Sequence, residues 1–458
     1  MKTILQNMRI IDETTDIYGA VVIEGGIIRA VIATDTVADA ENRGTAGLKA
    51  HGDSVARILD GSTMRPGQVL TLMPALVDLH AHFRDPGFPE KETLESASLA
   101  AVAGGYGTVV CMANTNPVID TLEKAQVLKA RSVRLGLIDL YPVMALTRGM
   151  EGGELSGITA LVAPSETRTP IPCPRMLSED GRDVAGDARL LAAFAEARRL
   201  GIPVSCHCDA GGAEAETAKR FGKSREVWSR IEENVATQRV IELGKQAQCH
   251  VHIAHVSTKE AVQLIRATKV PLNKSGDETG FTLTCEATPH HLGLTEADAR
   301  VLGAESWGRV NPPLRTEADR QALIGAVLDG TIDAIATDHA PHTESDKERG
   351  SPGFTGLETS YGVCMTELMG EDRLDLKRLS SLMSAAPARI LGLIDRGRIT
   401  PGNRADLIIV DTGASWVVNP QGFKSRGQNS PFTGRKLRGR ILMTMHRGRV
   451  VFESDSID

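Results

Sequence analysis

The chain has 458 residues, of which 41% are hydrophobic, 24% charged and 3% aromatic, and its formal net charge is −6. These values describe an ordinary globular protein with an aliphatic core, and an acidic balance without basic clusters argues against nucleic acid as a partner. The length exceeds one small domain and suits a barrel of roughly 250 residues or more with an accessory module.

In chain order, Thr3–Leu5, Met8–Ile11, Ala20–Ile23 and Ile27–Ile32 read as short strands, with Glu24-Gly25-Gly26 as a hairpin turn. The polar stretch 33–67 reads as a long surface loop. Apolar strand-like runs follow at 69–79, 107–112, 137–144, 171–177, 201–207, 249–255, 281–287 and 332–337. Amphipathic segments alternate with them, among them Glu92–Ala103, Asp187–Leu200, Val235–Lys245 and Glu317–Leu328. Eight strands each followed by a helix are the pattern of an α/β fold, the (β/α)8 TIM barrel. Strands return at Ala405–Asp411, Arg440–His446 and Val450–Phe452. The expected architecture is therefore a barrel over 68–397 and a small β-sandwich-like domain formed by both termini, 1–67 and 398–458.

Seven cysteines form no CxxC pair, are odd in number and sit mostly in apolar runs, which predicts reduced, buried thiols in a cytoplasmic protein. Polar residues interrupt the first nine positions before an apolar signal region could form, and no stretch approaches about 18 uninterrupted apolar residues, so neither a secretion signal nor a membrane span is expected.

The chemistry concentrates where strands end. His80 and His82 follow an apolar run and, two residues apart on a strand, point the same way. Asp180, His207, His255 and Asp338 close four later strands. Imidazoles and carboxylates together suit zinc or a similar borderline metal, and six ligands exceed the needs of one tetrahedral ion, so one or two ions are expected. Glu179 points away from Asp180 and reads as structural. His252, His290 and His291 read as packing or supporting residues, and Cys206 and Cys208 flank His207 on the opposite face.

Five strings narrow the reading: His80-Ala81-His82-Phe83-Arg84-Asp85-Pro86-Gly87, Met112-Ala113-Asn114-Thr115-Asn116-Pro117, His255-Val256-Ser257-Thr258-Lys259-Glu260, Asn311-Pro312-Pro313-Leu314-Arg315 and Asp338-His339-Ala340-Pro341-His342. Together, in this order, they resemble the class I bacterial dihydroorotases of the amidohydrolase superfamily. The resemblance runs from about residue 70 to the end, including Gly402-Asn403-Arg404-Ala405-Asp406-Leu407 and Asn429-Ser430-Pro431-Phe432. It implies reversible, zinc-dependent hydrolysis of (S)-dihydroorotate to N-carbamoyl-L-aspartate in de novo pyrimidine biosynthesis. By the same resemblance, His80, His82, Asp180 and Asp338 hold one ion, and Asp180, His207 and His255 the other. Many relatives bridge their ions through a carboxylated lysine; here no lysine lies between Lys129 and Lys219, and Asp180 takes that place.

Asp338 is then the proton carrier between water and the departing nitrogen. Arg84, whose planar fork suits a carboxylate, would hold the substrate's side carboxylate with Asn114 and His342. Asn311 would meet the ring amide, and backbone groups near Gly353 and Phe354 would touch the substrate. The implied partners are the small-molecule substrate, a second copy in a homodimer and aspartate carbamoyltransferase. Competing readings are an allantoinase- or hydantoinase-like cyclic amidohydrolase, an inactive scaffold for aspartate carbamoyltransferase, and a deaminase. Against these stand the missing lysine with Arg84 and Asn114 present, the retention of all six ligands, and the lack of a catalytic Glu beside a His.

Overall fold

The computed structural model describes residues 2–34, 57–161, 174–208, 225–275, 280–370 and 373–454. Strand β1 (Lys2–Ile11) pairs antiparallel with β2 (Asp16–Glu24), and β2 with β3 (Ile27–Thr34). Gly25 and Gly26 make the turn with φ of 61° and 80°, and a Cβ on Gly26 would lie 2.8 Å from the Arg447 carbonyl oxygen. Both demands, left-handed backbone and close approach, select glycine.

Three expectations change here. The reading of 33–67 as one loop fails at its end. Arg57–Asp60 forms β4, parallel to β1, and Asp60 caps the short turn Gly61–Met64 while accepting from Gln6 Nε2 at 2.7 Å. Four residues without alternation leave no strand signal in the sequence; residues 35–56 lie outside the described part. The apolar run 69–79 is two strands. β5 (Thr71–Pro74) lies between β1 and β15 (Leu407–Val417), whereas β6 (Leu76–Ala81) leaves the sheet at Ala75. Because β5 links amino- and carboxyl-terminal strands, the expected sandwich-like arrangement is instead one mixed sheet of eight strands. Its order is β17 (Arg449–Glu453), β16 (Lys436–His446), β15, β5, β1, β2, β3, with β4 beside β1. An aliphatic core including Leu5, Ile10, Val21, Leu72, Ile409 and Leu442 holds its packed face.

From β6 to β14 the strands run parallel. β6 pairs with β7 (Tyr106–Cys111) and β7 with β8 (Asp139–Pro142). A second parallel set joins β9 (Met144–Ala145), β10 (Leu177–Ser178), β11 (Val204–Cys206), β12 (His250–Ile253), β13 (Thr282–Ala287) and β14 (Ala334–Ile335). Only Val143 separates β8 from β9, and its N–H donates to Cys111 at 2.9 Å. After β14 the chain meets β6 again: Ala81 bridges His339, and the His82 N–H donates to the His339 carbonyl at 2.7 Å. Of the expected strand 171–177, residues 171–173 lie outside the described part, and Leu177–Ser178 pairs where expected.

Helices Leu94–Ala103, Leu122–Leu135, Asp187–Leu200, Arg225–Ala247, Lys259–Ser275 and Glu317–Leu328 alternate with these strands. Thr93, Thr121 and Thr316 cap three of them with their hydroxyls, and Gly136 and Gly201 end two in left-handed conformation. Parallel strands put all their carboxyl ends at one mouth, so residues following each strand are delivered to the same place.

Candidate active site

At that mouth the six ligand candidates meet, all of them buried. Asp180 is central. Its Oδ1 lies 3.3 Å from His80 Nε2, 3.5 Å from His207 Nδ1 and 3.9 Å from His255 Nε2, while its Oδ2 lies 3.6 Å from His82 Nε2. Asp338 Oδ1 lies 3.2 Å from His82 Nε2 and 3.7 Å from His80 Nε2. The ligand atoms form two groups of metal-holding geometry, His80–Asp180–His255 and His80–His82–Asp338. His207 joins through His255, its Nδ1 lying 2.8 Å from His255 Nε2. One carboxylate with one oxygen toward each cluster has the disposition a bridge requires.

His80 tests whether a cation fits. Its Nδ1 lies 3.0 Å from Glu286 Oε1, which fixes the proton on Nδ1 and turns Nε2 inward. That Nε2 is buried, makes no hydrogen bond and faces Asp180 and Asp338. A buried ring nitrogen aimed at two carboxylates calls for a positive charge between them, which a proton on Nε2 or a divalent cation in its place would supply. The electrostatics agree. Burial opposes the imidazolium of His80, yet the charges of Asp180 and Asp338 and the bond to Glu286 raise its proton affinity well above the usual value. Burial alone would lift Asp338; the bond from His82 and the charges of His80 and His82 hold its carboxyl below the usual range instead.

Strain marks the same residues. Arg84, His255 and Asp338 have φ of 56°, 31° and 46°, a left-handed region that side chains other than glycine seldom adopt and that clusters at functional sites.

The cleft above the carboxylates has a volume of about 260 Å³, and its walls include Arg84, Asn114, Asn311, His342 and Gly353. Asn114 accepts from His82 Nδ1 at 2.9 Å and donates to Asp180 Oδ2 at 3.2 Å. Asn311 Nδ2 lies 3.2 Å from His207 Nε2. Arg84 donates to the Pro341 carbonyl and reaches His342 Nε2 at 3.2 Å. Burial and the charge of Arg84 push His342 down to about 3, so the ring is neutral at physiological pH. One tautomer of it accepts from Arg84; the other donates to the Pro352 carbonyl at 2.9 Å. Gly353 presses so close that a Cβ there would meet Ala340 Cβ at 2.6 Å. Phe354 differs from the rest: it is buried beneath the wall, its ring edge-on to His290 at 5.4 Å, and its carbonyl accepts from Ala340 N.

Glu179 and His252 follow the sequence reading, whereas His291 bonds none of the six ligands. Glu179 accepts from the backbone of Leu146 and Thr147; His252 Nε2 bonds Glu286 Oε2 at 3.0 Å; His291 bonds Thr288 and the Pro312 carbonyl. The six described cysteines are buried. Sequence reasoning missed Glu286 and Asp78. Asp78 accepts from Thr337 N at 2.9 Å and from its hydroxyl at 2.5 Å, tying β6 to the segment after β14. The signal for both was a lone carboxylate inside an apolar strand, which burial makes costly unless it is fully bonded.

Comparison with known proteins agrees with this geometry. Residues 71–451 match the sequence profile of the Amidohydrolase family. A dihydroorotase of Clostridium botulinum (strain Eklund 17B / Type B) is 35% identical over 453 residues, covering 99% of this chain and all of that protein. A dihydroorotase of Anaeromyxobacter dehalogenans is 38% identical over 396 residues, covering 84% of this chain and 87% of the relative. Among solved structures, the L-hydantoinase (dihydropyrimidinase) of Arthrobacter aurescens superimposes with a TM-score of 0.79 at 24% identity, covering 98% of this chain and 96% of that one, a likeness of fold. A profile spanning most of the chain, and relatives this similar over nearly their whole length, place the chain in the amidohydrolase family, among its dihydroorotases.

Proposed function

We propose that this chain is a dihydroorotase, interconverting (S)-dihydroorotate and N-carbamoyl-L-aspartate in de novo pyrimidine biosynthesis. The observation that carries the reading is the meeting of six buried metal-type ligands with Arg84, Asn114, Asn311 and His342 around one small cleft. The ring of parallel strands from β6 to β14 is read as a closed (β/α)8 barrel over 68–397. Residues 1–67 and 398–458 then form the small β-domain, into whose sheet β5 passes. We assign zinc, in one or two ions, with His80, His82, Asp180 and Asp338 for one and Asp180, His207 and His255 for the other. When bound, the metal supplies Lewis acidity toward the ring amide and lowers the pKa of water toward about 7.

The chain's own residues do the rest. The guanidinium of Arg84, with Asn114 and His342, holds the substrate carboxylate, and Asn311 the ring amide, so that the reacting carbonyl faces the carboxylates. Backbone at Gly353 and Phe354 closes the wall behind the ring. Asp338 accepts a proton from the attacking water and returns it to the departing ring nitrogen; in synthesis it moves the proton back. A cytoplasmic homodimer, able to associate with aspartate carbamoyltransferase, is part of the same reading. Among the described residues no helix is long and apolar enough to cross a membrane.

The test is turnover of dihydroorotate with metal analysis on the purified protein. Asp338→Asn is expected to lower kcat by about 10²–10⁴ while the far-ultraviolet spectrum stays unchanged. Near-normal turnover by that variant would remove Asp338 from proton transfer.

A further inference from the structure

Two separate segments reach the cleft, one at Asn311 and the other the loop Ser351–Gly353. One ammonium bridges them, beside the bond from Arg309 Nη1 to the Gly350 carbonyl at 2.7 Å. Lys347, in the short helix Glu344–Glu348, is fully buried, and its Nζ donates to the carbonyls of Arg309, Ser351 and Gly353, each at 2.9 Å. An ammonium has three donors, and here each meets a backbone oxygen. The Phe354 ring adds a favourable face with its centroid 5.3 Å from Nζ. Among the described residues no carboxylate lies within ion-pair distance of Lys347, so the charge is balanced by carbonyl dipoles and the Phe354 ring. Burying an ammonium this way is costly, and burial with the nearby Arg309 charge pushes Lys347 down to about 7.

The neighbouring bonds tell the same story. Arg309 O also accepts from Gly353 N at 3.0 Å, and Asn429 Nδ2 shares Gly353 O with Lys347 while also donating to Ala340 O. Lys347 and Gly353 N tie the loop to the Arg309 carbonyl, Asn429 ties it to Ala340, and none of these bonds ends on one of the six ligands. We propose that Lys347 is a positioning residue that locks the Ser351–Gly353 loop onto the Arg309–Asn311 segment, giving the cleft a preformed wall for the substrate ring. The inference rests on the dihydroorotase reading for its substrate and on geometry alone for the clamp. Loss of the ammonium leaves the loop held on this side by the Gly353–Arg309 and Asn429 bonds, so it is more mobile and substrate must order it further on binding. Binding weakens, whereas the reacting groups stay in place.

The experiment compares wild type with Lys347→Met, which keeps the stem length and removes the donors. Expected are a KM for dihydroorotate raised about tenfold, the loss of roughly one net hydrogen-bonding contribution to a charged group, and a kcat within about threefold. Metal content should be unchanged, and amide hydrogen exchange should speed up at 309–311 and 350–354 only. Lys347→Gln, which keeps two donors, should fall between the two proteins. An unchanged KM with unchanged exchange overturns the proposal, as does an equal fall in kcat with exchange faster throughout the chain. If Lys347→Met does not fold, Lys347→Gln carries the same comparison. Failure of wild type to turn over dihydroorotate would instead strike the functional reading, and the exchange comparison would still decide the clamp.

Discussion

Glu286 shows how one side chain can govern several others. Its Oε1 faces His80 Nδ1 at 3.0 Å and the His255 N–H at 3.4 Å, while Oε2 takes His252. It thereby sets the tautomer of one ligand and the backbone of another, and the bonds from His252 and His80 keep its own carboxyl down at about 2 despite complete burial. Glu286→Gln keeps the shape but must turn an amide N–H₂ toward one of the two imidazoles. Zinc affinity, read by competition with a chromogenic chelator, should fall about 10–100-fold while the metal-free protein melts much as before. Equal affinity would mean that His80 is oriented by packing alone.

Two of the signature strings turn out to be one structural unit. Arg315, from the Asn311–Arg315 string, donates to Ser257 Oγ at 3.0 Å, Ser229 Oγ at 2.7 Å and Glu233 Oε2 at 3.0 Å. Glu233 in turn accepts from the backbone of Ser257 and Thr258, in the string that begins with His255. The helix Arg225–Ala247 thus anchors the loop after β12 to the loop carrying Asn311, and a buried ion pair fixes both. Arg315→Ala leaves the Glu233 carboxylate buried without its cation. We expect a loss of about 3–5 kcal/mol in denaturant titration; a change below 1 kcal/mol would show that the backbone donors alone sustain Glu233. Neither partner's role is visible in the strings, because Glu233 lies outside both and reaches them only through the helix.

Over the whole molecule, the sheet and the parallel strands are joined at Asp139 at the start of β8. Arg396 reaches it at 2.9 Å and Arg447 at 3.1 Å, Arg404 bonds it closely, and His446 lies at 3.7 Å. Burial disfavours the Asp139 carboxylate, but Arg404, Arg396 and His446 outweigh it and hold the group below its ordinary value of 3.8. A carboxyl depressed by folding contributes stability above its unfolded pKa and loses it as the pH falls through the folded value. Asp139→Asn should therefore cost about 3 kcal/mol at pH 7, with the gap to wild type shrinking below about pH 4. A gap independent of pH would assign the loss to packing rather than charge.

The sequence by itself determined the strand–helix alternation, the residues at the strand ends and the family strings, because periodicity and residue chemistry are local properties. It located His80, His82, Asp180, His207, His255 and Asp338 without saying which atoms would face one another. Tertiary structure alone decided that β5 belongs to the sheet and β6 does not, since an apolar run buried on both sides looks the same in either place. It alone brought in Glu286, Asp139 and Lys347, whose partners lie far away in the chain or are backbone carbonyls that carry no residue signature. A buried charge is tolerable only when surrounding groups satisfy it, and those groups come together only when the chain has folded.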